Sequence, residues 1–546
     1  MFNFLLRKLK YTLTKGKIAN EIIHPEVKID SEIGTELKGN LEKIKEILGD
    51  SDDIVIREFT LCDINETKAA LVYVDGLTEG LTINESIIKP LMYYSPDSDI
   101  DFMLPKGKGA KGSEATPSIE EFAKKRLCIG EIEEVSTYDK IIEGCLNGDS
   151  ALIIDGYNQC IVINTKGWDQ RSVEEPATES VVRGPREGFT ENIRTNTALI
   201  RRRVKHPDLT MKSTTLGRRT RTNVTLAYIR GIANDALIKD IEKRLAKIDT
   251  DAILESGYIE QYIEDAPFSI FSTMGYTEKP DAIAGKILEG RVAILVDGTP
   301  FVVTAPFLFL ESFQTTEDYY IRPYMATFLR FIRFLCFLIS ILAPAMYVAF
   351  TTYHHELIPT ELLFTIAVSR EGTPFPAAVE ALIMIIAFEI LRESGVRLPR
   401  PVGQAISIVG ALVMGEAAVS AGLIGAPMVI IIAITAVASF AVPTQVDAEV
   451  ILRFLFLILA AVLGGYGITL GILMMIVHLA SLRSFNFFYL QPFAPMNWQD
   501  SKDAAVRFPL WAMLSRPKGF ARKNEIRQKF FVPDYDLSDG GQNDEN

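Results

Sequence analysis

Histidine, cysteine and tryptophan are scarce here: five, five and three among 546 residues. His24, His206, His354, His355 and His478 stand beside no serine or cysteine in a nucleophile–base arrangement, so no catalytic residue is expected. His354-His355-Glu356 puts ligand types in a row, but adjacent residues do not share a helix face, and a surface loop is the expectation rather than a metal site. Cys62, Cys128, Cys145, Cys160 and Cys336 form no Cys-x-x-Cys and no Cys/His cluster. An odd, scattered set fits reduced thiols and argues against a disulfide framework or a zinc site. No cofactor is implied. A surplus of positive charge is missing as well: 57 Lys+Arg against 69 Asp+Glu leave a net charge of −12, which argues against a nucleic-acid partner. No signal peptide is expected either, because the short apolar patch Phe2–Leu6 precedes its charges, Arg7, Lys8, Lys10, Lys15 and Lys17. The segment 1–30 reads as a basic start, either a solvated helix or one lying on a membrane.

What is present in bulk is apolar sequence, gathered in one block. Five runs lie between Phe328 and Leu482: Phe331–Tyr353, Ala377–Leu391, Gly403–Ala421, Leu423–Val442 and Ile451–Leu479. A membrane span needs ~20 mostly apolar residues. Four runs reach or approach that length; the second is shorter and carries Glu380 and Glu389. Arginines before the first run (Arg322, Arg330, Arg333), after the second (Arg392, Arg397, Arg400) and after the last (Arg483, Arg507, Arg516) all read as cytoplasmic. Two soluble ends on one side require an even number of crossings, which five runs do not give. Four full crossings are expected, within a range of four to six, with one run half-inserted or Glu356–Val368 adding a partial segment.

The remainder alternates strand and helix patterns. The expected fold class is therefore an α+β soluble N-terminal region of two mixed α/β subdomains, 31–135 and 136–320, followed by an all-α polytopic membrane domain, 321–484. An interfacial or cytoplasmic segment, 485–533, and an acidic tail, 534–546, complete the chain. Leu209–Leu216 and Thr222–Ile229 make a hairpin around Gly217. Apolar runs end in Asp-Gly three times, at Asp75-Gly76, Asp155-Gly156 and Asp297-Gly298; the intervening segments do not match, so no repeat is expected. Lys106–Ser113 is a Gly/Lys loop without the lysine of a phosphate loop.

Within the membrane block, Gly372-Thr373-Pro374-Phe375-Pro376 cannot continue a helix and sets Glu380 one turn inside the next one. Glu389 and Arg392, three apart, can pair at the cytoplasmic edge. Gly403, Ser407, Ala411 and Gly415 recur every four residues, a seam for close helix packing. Glu416 lies two thirds along that run, with Val413 and Ser420 near the same face. A charge at mid-membrane costs ~2.5–3.5 kcal/mol on insertion scales, so Glu416 either pairs inside the bundle or faces water. Copies of it around an axis would form a carboxylate ring of the kind used by cation channels. In the arginine-rich stretch 167–203, the turn around Arg183, Gly184, Pro185 and Arg186, with Phe189 and Arg201, reads as a subunit interface rather than an anion site.

Arg183-Gly184-Pro185-Arg186-Glu187-Gly188-Phe189-Thr190-Glu191 and Asn196–Arg203, then Gly372–Pro376 with Glu380, then Gly415-Glu416-Ala417-Ala418-Val419, resemble the signature of the A subunits of GerA-type spore-germination receptors. The resemblance runs in order over residues 140–515. It implies a subunit that assembles with itself, taken to be a pentamer, and works with a transporter-like B subunit and a lipoprotein C subunit. An amino-acid or sugar nutrient would bind largely on the B subunit, and cations would leave the spore core. The place implied is the inner membrane of the spore, among its lipids, with both soluble ends on the core side. A secondary transporter and a non-conducting scaffold are the other classes left open by the residues.

Overall fold

A computed structural model describes residues 31–62, 67–93, 119–167, 176, 179, 181–397, 415–497, 500–517, 519–520, 524 and 526–528. The chain divides into two compact units, Met1–Trp168 with Lys205–Pro207, and Asp169–Val204 with Asp208–Asn546.

In the first unit, helix α1 (Leu37–Leu48) leads to strands β1 (Ile54–Thr60) and β2 (Lys68–Val74). An irregular helical stretch, Gly80 to Met92, and α2 (Ile119–Arg126) follow, then β3 (Ile132–Val135), α3 (Tyr138–Leu146), β4 (Ser150–Ile154) and β5 (Cys160–Ile163). The sheet order is β1-β2-β4-β5-β3, every pair antiparallel. β4 and β5 are buried along their whole length, because helices cover both faces. Ile87, Ile119 and Phe122 pack on one face against Leu71, Leu152 and Ile161, while α1 and α3 lie on the other. The expected boundary at 135/136 is therefore corrected: β3 pairs with β5, so a break there would cut the sheet, and the first unit runs on to 168.

The second unit opens with α4 (Ile193–Arg203), then β6 (Leu209–Leu216) and β7 (Thr222–Ile229), the hairpin expected around Gly217. It continues through α5 (Asp235–Leu245), α6 (Ser256–Ile263), β8 (Gly275–Thr277), α7 (Pro280–Leu288), β9 (Val292–Val296) and β10 (Val302–Ala305). α5 begins at Asn234, whose side chain accepts from Ala236 N, and it buries Leu237, Ile238, Ile241 and Leu245 on one stripe. The sheet order is β6-β7-β9-β10-β8, the same topology as in the first unit.

The likeness extends to single atoms. Leu37 N donates to Asp155 Oδ1 at 2.9 Å in one unit, and Ile193 N to Asp297 Oδ1 at 3.2 Å in the other. Gly156 N reaches Thr35 O, and Gly298 N reaches Glu191 O, both at 2.8 Å. The buried Asn40 clasps the backbone of Gly34 as the buried Asn196 clasps that of Thr190. Gly156 (φ 93°) and Gly298 (φ 91°) occupy the same left-handed position, where an L side chain is strained. The expectation of no repeat is thus overturned at the level of topology. Two of the three Asp-Gly pairs are equivalent helix clamps; the counterpart of Asp75-Gly76 is Arg230-Gly231, with φ of 85° and 77° at the two glycines.

Beyond β10 come the apolar helices α8 (Pro323–Thr352), α9 (Thr360–Arg370), α10 (Ala377–Arg397), α11 (Ala426–Ser439) and α12 (Val446–Ser481). Among the described residues one helix, Pro323–Thr352, is long and apolar enough to cross a membrane unbroken. α12 contains a reversal rather than a single span: Gly464 has φ 60° and ψ −140°, outside the helical region. A Cβ at Gly467 would fall 2.2 Å from Leu459 O, and one at Gly471 would fall 2.6 Å from Phe456. In a straight helix residues 456 and 471 would lie about 22 Å apart at ~1.5 Å per residue. The two halves are therefore antiparallel legs of a hairpin, and the reading of Ile451–Leu479 as one run is corrected. The turn sits on the end of α8, where Tyr353 Oη donates to Ala461 O at 2.7 Å and Gly465 N to His354 Nε2 at 3.2 Å. Only glycine fits at 464, since a Cβ there would meet the Tyr353 ring at 2.8 Å.

Both open ends of the hairpin return to the second sheet. Gln445 Nε2 donates to Ser312 Oγ at 2.6 Å before the first leg. After the second, Ser484 Oγ donates to Thr273 O at 2.6 Å, and Phe485 joins the core formed by α5, α6 and the sheet.

Candidate functional site

Three polar centres lie within or at the edge of the helical domain. The first joins it to the sheet. Asp318, wholly buried, accepts from Arg330 Nε at 3.0 Å and from Arg333 Nη1 and Nη2 at 2.9 Å each. Burial alone would raise its carboxyl; the hydrogen bonds from Arg333 and Arg330 hold it below the ordinary range. Arg330 also donates to Asp503 O at 2.6 Å and Oδ1 at 3.0 Å, tying in the C-terminal segment. Beside this junction a cavity of about 70 Å³ is lined by Glu289, Arg291, Glu311, Tyr319 and Asp503 among others. Burial pushes the Glu289 carboxyl up, and nearby Arg291, itself paired with Glu311, opposes that.

The second centre crosses three helices. Arg453 of α12 donates through Nη1 to Glu389 of α10 at 2.8 Å, and through Nη2 and Nε to Ser340 Oγ and O of α8, both at 2.9 Å. Ser340 Oγ donates to Glu449 at 2.5 Å, and Arg392 holds the other oxygen of Glu389 at 2.6 Å. The Glu389–Arg392 pair expected at a cytoplasmic edge is therefore part of a buried network. The sequence reading missed Arg453, Glu449 and Ser340. Arg453 and Glu449 are four residues apart near the start of the last apolar run, and that spacing was the signal available.

The third centre is Glu380, fully buried. Oε2 accepts from Gly425 N at 3.2 Å; Oε1 accepts from Thr373 Oγ1 at 3.1 Å and from Arg370 Nη2 at 3.4 Å. Glu380 thus closes the Gly372–Pro376 break onto the N-terminus of α11, where the helix dipole favours a carboxylate.

Of the residues expected along the third run, Gly403, Ser407, Ala411 and Val413 lie outside the described residues. Gly415 is buried, and a Cβ on it would sit 3.1 Å from Val429 Cγ1 of α11. Glu416 and Ser420 are both exposed on the surface of the chain, one helical turn apart.

The arginine segment is split by the fold. Arg183 and Arg186 are exposed, Pro185 is half-buried, and Gly184 (φ 142°) packs under the Tyr320 ring. Phe189 packs on Leu199 and Ile200 in the unit's own core, and Arg201 has no exposed surface. Those two are therefore corrected from interface candidates to interior residues, while Glu187 pairs with Arg203 at 2.7 Å. Among the described residues no group of His, Cys, Asp and Glu is placed to hold a metal ion.

Residues 42–519 match the family described as Bacillus/Clostridium GerA spore germination protein. Spore germination protein KA of Bacillus subtilis (strain 168) is 47% identical over 91% of this chain and 89% of its own length. The uncharacterized membrane protein YfkQ of the same organism is 42% identical over 91% of this chain and 93% of its own. The crystal structure of the N-terminal domain of the A subunit of the Bacillus megaterium spore germinant receptor GerK3 aligns with 51% of this chain and 98% of that one, at 38% identity and a TM-score of 0.39.

Proposed function

This chain belongs to the GerA family of spore germination proteins, and on that footing we propose that it is the membrane subunit of a nutrient-sensing germination receptor, forming a homo-oligomeric, pentameric, nutrient-gated cation channel. The observation that carries this reading is the exposure of Glu416 on an otherwise apolar segment. A carboxylate facing acyl chains is expensive, and a water-filled axis shared by several copies removes that cost.

The hairpin supports a consistent topology. The described helices run out from the sheet along α8, back along α10, back along α11, and out and back through α12; assigning the one outward link still needed, between α10 and α11, to the apolar run expected at 403–421 gives six passes. That even number leaves both soluble parts on one side, the core side of the spore's inner membrane. The arginines at 183 and 186 remain on the surface for contact with a neighbouring copy. B-type and lipoprotein subunits complete the receptor, and the nutrient is an amino acid or sugar.

The test is K⁺ and Cl⁻ flux through proteoliposomes carrying the assembled receptor, challenged with a panel of amino acids and sugars. E416Q should insert normally and lose cation preference. Unchanged conductance and selectivity would remove the carboxylate ring, and would favour a transporter or scaffold, neither of which needs Glu416 repeated around an axis.

A further inference from the structure

Glu380 holds together two stretches of chain 45 residues apart. On one side are the end of α9 and the Gly372–Pro376 break; on the other is Gly422–Gly425, which follows the Glu416 segment. The backbones are pressed close: a Cβ at Gly425 would lie 3.1 Å from Arg370 Cγ and 3.7 Å from Ser369 O, and one at Gly422 would lie 3.6 Å from Gly372 O. Gly422 has φ 64°, so the chain reverses there in a conformation that favours glycine. A wholly buried carboxylate is tolerated only when its oxygens are satisfied, and both oxygens of Glu380 are spent on this contact. Arg370 stands at 3.4 Å, near enough to neutralise the charge, with its Nε bonded to nothing described.

We propose that Glu380 is a positioning residue that fixes the exit end of the Glu416 segment. Gly415 against Val429 anchors the near end by packing; Glu380 on Gly425 anchors the far end by charge. Between these anchors Glu416 and Ser420 are held on one face. This role rests on the proposed pore, but the clamp itself can be tested without any ion flux.

The experiment places spin labels at positions 371 and 423, both exposed, on the full chain with its native cysteines replaced, diluted in lipid with an excess of unlabelled chain so that only distances within one copy register. The parent should give a single narrow distance. E380A should lose the narrow peak. E380Q, which keeps an acceptor for Gly425 but no charge for Arg370, should retain part of it. A narrow peak unchanged in both variants overturns the clamp. If E380A fails to accumulate, E380Q decides alone: an unchanged peak overturns the proposal and a broadened one supports it. Flux separates the two claims. Broadened distances alongside an E416Q receptor of unaltered selectivity would refute the pore and leave the clamp standing.

Discussion

The two α/β units share strand order, helix order and clamp atoms, yet they bury different chemistry. Among the described residues of the first the buried polar ones are mostly neutral, Asn40, Ser51, Ser150 and Thr165, with Asp53 alone charged. In the second they include Arg201, Glu278, Lys279 and Arg291. Lys286 sits in the same unit, its ammonium pushed down by burial against the pull of Glu311 and Glu179. The same framework thus serves two ends. One copy is closed by apolar packing. The other accepts the desolvation of several charges at the level where it seats a helical domain, since charged pairs fix geometry that non-directional apolar contact does not. Asp318 is the centre of that seat, and Phe485, arriving after the last apolar helix, completes the second copy's core.

The sharpest way to break the comparison is D318N. It leaves the buried Arg330 and the half-buried Arg333 against an amide, and removing one partner of a buried pair costs ~3–5 kcal/mol. The detergent-solubilised chain should show a large fall in thermal midpoint. Because Asp318 is held below the ordinary carboxylate range, its contribution is full above the unfolded value of about 3.9 and is lost only as pH falls through the lower folded value. The parent should therefore keep this contribution at pH 5, and a D318N midpoint equal to the parent's at pH 7 would mean that the junction is not held by charge.

A milder change tests the duplication itself. D155A and D297A each remove the acceptor for one first-turn amide, Leu37 N or Ile193 N, a loss of ~0.5–2 kcal/mol for such a cap. If the clamps are equivalent, the two variants lower the midpoint by similar amounts, and D155N and D297N, which keep an oxygen, lower it less. A large effect at one site and none at the other would show that the shared topology hides different mechanics.

Much of this architecture is legible in sequence, and the parts that are not have identifiable causes. The β6–β7 hairpin is readable because strand patterning and a turn glycine fall within one window. The duplication is not, because its invariants are single residues (Asn40 and Asn196, Asp155 and Asp297) separated by loops of unequal length. The α12 hairpin is hidden in an apolar run whose glycines look like packing sites, since composition does not reveal that Gly464 adopts φ 60°. Glu380 and Glu389 are conspicuous as charges in apolar sequence, but their partners Gly425 and Arg453 come from distant segments, and a backbone amide leaves no trace in composition. Phe189 and Arg201 look like surface recognition residues because arginine is seldom buried; here the fold buries both.

The smallest predicted effect concerns Glu264, at the end of α6 in the second unit. Burial, then the charges of Glu260 and Asp265, push its carboxyl up to about 7. The folded state therefore binds this proton more tightly than the unfolded chain, whose glutamates titrate near 4.3. The resulting stabilisation is full below about 4.3 and is lost as pH rises through about 7. Between pH 5 and pH 8 the midpoint of the parent should drift down relative to that of E264Q, which is neutral throughout. The corresponding helix of the first unit, α2, ends in the basic run Lys124-Lys125-Arg126, where α6 is followed by Glu264-Asp265, so the drift is assigned to the second copy. Parallel midpoint curves for parent and E264Q across that range would remove Glu264 as its source.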